Sequence, residues 1–225
     1  MEDTQRIYLP AFGHQWLLPL YDLVTKWLGV EAAHRQLLDQ AKIQAGHRVL
    51  EIGCGTGNLA ILAKRLHPKA DTIGLDPDPK ALARARRKAE RKALAIQFDH
   101  GFSDGLPYPD GSFDRVLSAM MFHHLLSLDE KIKTLREVRR VLRPGGSFHL
   151  LDFDGGTAPS RGHLTRLLHR HRHETEHSKD DSGDRIPTLM KEAGFTGPRK
   201  TAYRHLGIGA HVAYYEALTP EGPYP

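Results

Sequence analysis

The stretch that decides the fold is Val49-Leu50-Glu51-Ile52-Gly53-Cys54-Gly55-Thr56-Gly57-Asn58. A run of strand-forming residues ends here in a glycine-rich loop, and a helical pattern follows over residues 59–66. Glycines allow backbone N–H groups and the amino end of a helix to approach an anionic group closely. The order strand, loop, helix therefore predicts a ligand site at the carboxyl end of this strand.

Strand-like runs alternate with helical patterns along most of the chain. This alternation predicts an α/β protein with a largely parallel sheet and helices on both faces, and the last two strands are expected to form an antiparallel hairpin at one edge. The predicted strands cover residues 48–52, 71–75, 95–99, 113–120, 147–153, 199–204 and 211–218, and the predicted helices cover residues 59–66, 80–92, 128–142 and 185–193.

The length of the chain indicates a single domain. Its 225 residues, 40% of them hydrophobic, are enough for one sizeable core and too few for two comfortable ones. Residues 1–45 are expected to form a helical cap that ends in a helix near Ala41. Residues 46–155 are expected to form the cofactor-binding core, and residues 156–225 a lid followed by the edge strands.

The sequence predicts a soluble, cytoplasmic protein without membrane insertion. It contains no apolar run of about 18 residues, and its first residues lack the basic-then-apolar order of a secretory signal. The sole cysteine, Cys54, agrees with a reducing compartment. Its simplest role is that of a small packed residue.

The charge of the chain raises the question of an acidic partner. The formal net charge is +5, and the basic residues cluster on the helices predicted over residues 80–92 and 128–142. Each of these helices also has an apolar stripe at helical spacing, so the basic residues are expected to face water. An RNA footprint on the first helix is the alternative. We expect no nucleic-acid partner, and a monomer or homodimer.

Asp76 ends the second predicted strand and is the acidic partner of the glycine loop. A carboxylate at this point can accept hydrogen bonds from both hydroxyls of a ribose, although a turn cap is the alternative role. The dinucleotide fingerprint Gly-x-Gly-x-x-Gly would require a glycine where Asn58 stands. The pattern therefore favours a nucleoside ligand over a dinucleotide.

The stretch from Val49 to Asn58 resembles the first motif of the class I S-adenosylmethionine-dependent methyltransferases. Two later stretches, over residues 106–114 and 135–146, look like blocks of the small-molecule branch that includes the ubiquinone/menaquinone (methyltransferase type 11) enzymes. The resemblance is strong over about residues 45 to 155. It implies a Rossmann-like three-layer sandwich, a seven-stranded sheet with an antiparallel last strand, and in-line methyl transfer to a small-molecule acceptor.

The resemblance also implies how S-adenosyl-L-methionine is held. The glycines border its methionine part, Glu51 supports its ammonium group and Asp76 holds its ribose. Many relatives have an aspartate for adenine where this chain has Phe102, so adenine recognition is expected to shift to Ser103 or to main chain; core packing is the alternative for Phe102. The expected cofactor-binding residues are Glu51, Gly53, Cys54, Gly55, Gly57, Asn58, Asp76, Pro77, Phe102, Ser103 and Met120.

Two adjacent histidines are the candidate general bases. His123 and His124 follow the fourth predicted strand, at the carboxyl edge where ligands of open α/β sheets bind. A structural or cofactor-edge role is the alternative. Tyr21, followed by Asp22, resembles a Tyr-Asp pair that closes over the methyl group in related enzymes, and core packing competes equally with that role. Phe12, His14 and Trp16 are candidates for lining the acceptor pocket.

The segment His173-Glu174-Thr175-Glu176-His177 matches the His-Glu-x-x-His pattern of zinc proteases. With 15 histidines in the chain a chance match is easy, and neither an apolar helix nor a third ligand is evident. We expect no metal here and interpret the segment as a solvated lid loop. The remaining functional alternatives are an RNA methyltransferase and a cofactor-binding module without chemistry.

Overall fold

The computed structural model describes residues 29–154, 185–207 and 210–222, and these form a three-layer α/β structure. Their helices are α1 (Val30–Ala41), α2 (Asn58–Leu66), α3 (Pro79–Glu90), α4 (Leu128–Val141) and α5 (Arg185–Glu192), with a 3-10 turn at Phe122–His124. Their strands are β1 (Arg48–Ile52), β2 (Asp71–Asp76), β3 (Gln97–His100), β4 (Phe113–Ala119), β5 (Leu142–Phe153), β6 (Thr196–His205) and β7 (His211–Leu218).

The described strands form one seven-stranded sheet in the order β3-β2-β1-β4-β5-β7-β6. The pairs from β3 across to β5 are parallel, whereas β7 is antiparallel to both β5 and β6. This confirms the predicted fold class and the C-terminal hairpin. The chain order reverses between β1 and β4, and the carboxyl edge at such a point is the usual ligand position in open α/β sheets.

The alternation of side chains along each strand divides the core into two main layers. On β1, Val49 packs with α1 and α2 on one face, while Leu50 packs with α4 and α5 on the other. A smaller cluster joins Cys54 to α2, α3 and Phe98 of β3. Both faces of the sheet are therefore covered, and its carboxyl edge is left for a ligand site.

The prediction placed the start of β5 too late. The Pro144-Gly145-Gly146 stretch indicated a break before residue 147, but the strand already begins at Leu142. Leu142 pairs with Phe113, and the register then shifts before the pairing resumes at Ser147. Gly145 adopts a φ of 71° inside this bulge, so the glycines bend the strand without ending it.

The predicted solvation of the basic helix faces was wrong at several positions. Lys131 of α4 is buried, with 7% of its surface exposed. Arg140 binds Glu137 and Asp110, and Lys88 of α3 turns toward the glycine loop. Long basic side chains bury their stems and reach polar groups at a distance, which an apolar stripe in the sequence does not reveal.

Candidate functional site

Glu51 lies near the end of β1, immediately below the glycine loop. Only 3% of its surface is exposed, and its carboxylate accepts a hydrogen bond from the N–H of Ala60 in α2. Among the described residues its Oε2 has no hydrogen-bond partner. Burial raises the pKa of Glu51 well above its ordinary value. A buried carboxylate oxygen without a partner is costly, and a cationic ligand group would compensate for it.

Gly53, Gly55 and Gly57 all adopt left-handed conformations, with φ values of 68°, 51° and 75°. The side chain of Met121 lies over Gly53 so closely that a Cβ at this position would collide with it. Gly57 faces α3, whereas the space beside Gly55 is open. The loop therefore requires glycine both for its backbone conformation and for close packing.

Asp76, at the end of β2, is joined directly to this loop. Its Oδ2 accepts a hydrogen bond from Gly55 N–H at 2.7 Å, and its Oδ1 accepts one from Asp78 N–H at 2.9 Å. Burial raises the pKa of Asp76, and the two backbone hydrogen bonds oppose that effect. The structure thus gives Asp76 a loop-fixing role beside the predicted ribose contact, for which each oxygen keeps a lone pair.

The side chains of two predicted cofactor residues, Cys54 and Asn58, make contacts within the protein. Cys54 is buried in the cluster with α2 and α3, and burial raises the pKa of its thiol well above the ordinary value. Asn58 begins α2, and its Oδ1 accepts a hydrogen bond from Lys88. Lys88 also donates to Thr56 Oγ1 at 3.3 Å. This role of Lys88, which fixes the exit of the loop, was not predicted from the sequence.

The residues expected near adenine lie beside the ends of β2 and β3. His100 Nε2 lies 3.1 Å from the carbonyl oxygen of Pro77, and its ring meets that of Phe102 edge-on at 6.2 Å between centroids. The Ser103 hydroxyl forms a hydrogen bond with Thr134 of α4 at 2.9 Å. The Ser103 hydroxyl is thus engaged within the protein, while Phe102 is half-buried. His100 was not anticipated.

The two candidate histidines lie in the 3-10 turn after β4. Met120, just before this turn, has a φ of 54°, rare for a residue with a side chain, and its N–H donates to Leu151 O. His123 Nδ1 lies 2.7 Å from Oδ1 of Asp152, and its backbone N–H donates to Oδ2 at 3.1 Å. The rings of His123 and His124 are 4.1 Å apart.

Asp152 is a functional candidate that the sequence analysis missed. It ends the apolar run of β5, and 2% of its surface is exposed. Burial alone would raise its pKa, but the charge and hydrogen bonds of His123 bring the pKa below its ordinary value. The signal was a lone carboxylate between apolar residues at the carboxyl end of a buried strand.

Several predictions fall on residues outside the described part of the chain. These are Tyr21 and Asp22, the pocket candidates Phe12, His14 and Trp16, and the segment His173–His177. Within the described ranges, no group of three or more His, Cys, Asp or Glu side chains could hold a metal ion. None of the helices that the structure describes is long and apolar enough to cross a membrane.

Several known proteins similar to this chain are named methyltransferases. A family profile described as a methyltransferase domain matches residues 49–146. A demethylmenaquinone methyltransferase of Thermus thermophilus is 39% identical over 61% of this chain and 62% of its own length, so the match spans just under two thirds of that relative. An uncharacterized methyltransferase of Synechocystis is 30% identical over 86% of this chain and 88% of its own length.

Solved structures agree in fold. An S-adenosylmethionine-dependent methyltransferase of Aquifex aeolicus has a TM-score of 0.65 at 17% identity, covering 89% of this chain and 97% of that one. A phosphoethanolamine N-methyltransferase of Haemonchus contortus, in complex with S-adenosyl-L-methionine, has a TM-score of 0.71 at 14% identity, covering 93% and 58%. At such identities the likeness concerns the fold alone. The family profile and these relatives together show that the chain belongs to a methyltransferase family.

Proposed function

We propose that this chain transfers a methyl group from S-adenosyl-L-methionine to a small-molecule acceptor at the carboxyl edge of its sheet. The observation that carries the proposal is the buried Oε2 of Glu51 below the glycine loop, which has no hydrogen-bond partner in the part of the chain that the structure describes. The cofactor has an ammonium group at one end, which fits this oxygen. When bound, it supplies an electrophilic methyl group on a positively charged sulfur.

The residues around the loop fit the rest of the cofactor. Asp76 would hold the ribose while its bond to Gly55 keeps the loop closed over the nucleoside. Phe102 and Pro77 would flank the adenine. These contacts lie in order along the ends of β1, β2 and β3, so an extended ligand would cross three neighbouring strand ends.

The task of the protein in such a reaction is mainly alignment. Methyl transfer is an in-line displacement, so the acceptor atom, the methyl carbon and the sulfur must be collinear. Met121 lies over Gly53 and links the loop to the turn that holds His123. Any displacement of this turn would therefore move the acceptor side of the site relative to the cofactor side.

A small-molecule acceptor is favoured over RNA. Relatives include proteins named demethylmenaquinone methyltransferase, whose name refers to a quinone and not to a nucleic acid. Part of the basic surface is also committed internally, since Lys88 binds the glycine loop and Arg86 donates to the carbonyl oxygen of Phe98. An internally bound cation contributes less to a phosphate-binding surface. A cytoplasmic location and a monomeric or homodimeric state stay predictions.

The test is transfer of a labelled methyl group. The protein is incubated with methyl-labelled S-adenosylmethionine and a bacterial extract separated into small-molecule, protein and RNA fractions. We expect label in the small-molecule fraction, and a rise in melting temperature with S-adenosylmethionine but not with NAD. Label in RNA alone would refute the acceptor class. Failure to bind S-adenosylmethionine would refute the proposal as a whole.

A further inference from the structure

His123 is held by Asp152 at two points, and this double contact distinguishes it from His124. Asp152 accepts from both the ring Nδ1 and the backbone N–H of His123, at 2.7 and 3.1 Å. The ring of Phe153 packs edge-on against that of His123, with centroids 4.9 Å apart. These contacts, at the backbone N–H, at Nδ1 and with the ring of Phe153, together determine the orientation of the imidazole.

The protonation of this pair follows from its surroundings. Asp152 accepts hydrogen bonds from the backbone N–H groups of His123 and Phe153, and its pKa lies below its ordinary value despite burial, so the carboxylate is ionised near neutral pH. An ionised carboxylate only accepts hydrogen bonds, so Nδ1 of His123 must carry the proton. In the neutral ring the basic lone pair then lies on Nε2.

The position of the ring suits an encounter with a ligand. The side chain of His123 is 31% exposed, whereas that of Asp152 is 2% exposed. The imidazole is therefore accessible to a ligand, while the carboxylate that holds it is buried. Met121, two residues earlier, touches the glycine loop at Gly53. His123 is thus adjacent to the part of the site where the methionine end of the cofactor is proposed to lie.

We propose that His123 is the catalytic base that removes the proton of a phenolic or enolic hydroxyl acceptor, and that Asp152 is its positioning residue. This inference rests on the proposed methyl transfer and names its acceptor class. The acceptor oxygen gives its proton to Nε2 and forms a bond to the methyl carbon. The bond from that carbon to sulfur breaks, and its electron pair stays on sulfur. The positive charge passes to the imidazolium beside Asp152.

The strength of the base selects the acceptor. A phenol is acidic enough for an imidazole to take its proton while the bond to the methyl carbon forms. An aliphatic alcohol is a far weaker acid. A carboxylate or thiolate has no proton to lose. The ring of Phe153 beside the imidazole also suits a flat aromatic acceptor more than a charged one.

Kinetics with a defined probe test the catalytic role. With 1,4-naphthohydroquinone as acceptor, kept reduced, we expect an O-methyl ether as product. His123→Gln and Asp152→Asn should lower kcat by about 10²-fold or more while changing the KM for S-adenosylmethionine by less than about threefold. His205→Gln, an exposed histidine on β6, is the matched control and should retain wild-type activity. Added imidazole should partly restore His123→Ala.

Histidine NMR tests the pair without any turnover, and its decisive measurement, on the wild-type protein, does not depend on the folding of an Asp152 variant. In wild-type protein with ¹⁵N-labelled histidine, the His123 signals are identified by their loss in His123→Gln. We expect the neutral ring to be protonated at Nδ1, and Asp152→Asn to shift it toward the Nε2–H tautomer. A proton on Nε2 in the wild type would refute the positioning role.

The outcomes separate this inference from the proposed function. If S-adenosylmethionine binds and methyl transfer to the probe persists in His123→Gln, or is lost only in His124→Gln, the base is wrong while the methyltransferase proposal stands. A C-methylated product, transfer to 1-naphthylamine instead, or transfer to neither probe refutes the acceptor class. Loss of cofactor binding in the wild type refutes the proposed function itself.

Discussion

Replacement of Glu51 by glutamine tests the cofactor site most directly. The change keeps the size of the side chain and removes its charge, at a position with 3% exposure and a carboxylate oxygen that has no partner among the described residues. A hydrogen bond to a charged partner contributes about 1.5–3 kcal/mol, and about 1.4 kcal/mol is a factor of ten in affinity. The Kd for S-adenosylmethionine should therefore rise roughly 10- to 100-fold.

The same substitution should stabilise the protein without ligand. Because burial raises the pKa of Glu51, the stability that its protonated form provides is present below the ordinary value of 4.5. It is lost as the pH rises through the folded-state pKa. Glutamine cannot ionise, so Glu51→Gln should melt at a higher temperature than the wild type at pH 8, and by less at pH 5. Loss of binding with gain of stability is typical of a ligand-binding group.

Isothermal titration calorimetry measures both the affinity and the proton balance. An ammonium group next to Glu51 favours the ionised carboxylate, so binding to the wild type should release protons, seen as an enthalpy that depends on the buffer. Glu51→Gln should release fewer. Glu90→Gln, on the exposed surface of α3, is the control. A Kd for Glu51→Gln within about threefold of the wild type would refute the assignment of Glu51 to the ammonium group.

Three further predictions concern the loop and the buried histidines. Asp76→Ala removes the acceptor of two backbone N–H groups and should abolish the thermal shift with S-adenosylmethionine and cost about 1–3 kcal/mol of stability, by urea unfolding; an unchanged shift would contradict it. Gly57→Ala places a Cβ 2.9 Å from a methyl carbon of α3 and should lower the free energy of unfolding by about 2–3 kcal/mol. Gly55→Ala, where the space is open, should lower it by only about 1 kcal/mol, and equal losses would count against the packing argument. Burial lowers the pKa of His149 to about 3 and of His34 to about 4, from 6.5, so each stays neutral in the folded state while it protonates on unfolding. When the pH falls from 7 to 5, each histidine should therefore lower the free energy of unfolding by about 2 kcal/mol. If His149→Asn loses as much stability as the wild type over this range, the contribution of His149 is refuted.

The fold was predictable because its signals are local. Each strand of the parallel core is a short apolar run with a turn or helix signal on either side, and β1 and β7 begin and end where the sequence predicts. The start of β5 was not predictable in the same way. The pairing of Leu142 with Phe113 holds the chain in the sheet through a stretch whose own residues favour a turn.

The site was predictable where its residues neighbour one another along a motif and obscure where they meet through the fold. Glu51 and the glycines share one stretch of sequence, so their proximity needs no tertiary information. Lys88 and Asp152 form hydrogen bonds with groups about thirty positions away in the sequence. The sequence alone suggested only a surface cation for Lys88 and a strand end for Asp152. Only the packing of α3 against α2, and of the 3-10 turn against β5, brings these contacts about.

The pKa values of two buried carboxylates at the same sheet edge are shifted in opposite directions. This contrast indicates on which side of the site the cofactor and the acceptor would lie. Burial raises the pKa of Glu51 on β1, while the contact with His123 lowers that of Asp152 on β5. Among the described residues Oε2 of Glu51 has no hydrogen-bond partner, whereas Asp152 has in His123 a partner that can become a cation. Between them lies β4, whose carboxyl end leads into the His123 turn. A ligand whose positive charge lies next to Glu51 would meet, above β4, an acceptor whose hydroxyl faces His123. The methyl group would pass there from the ligand to the acceptor.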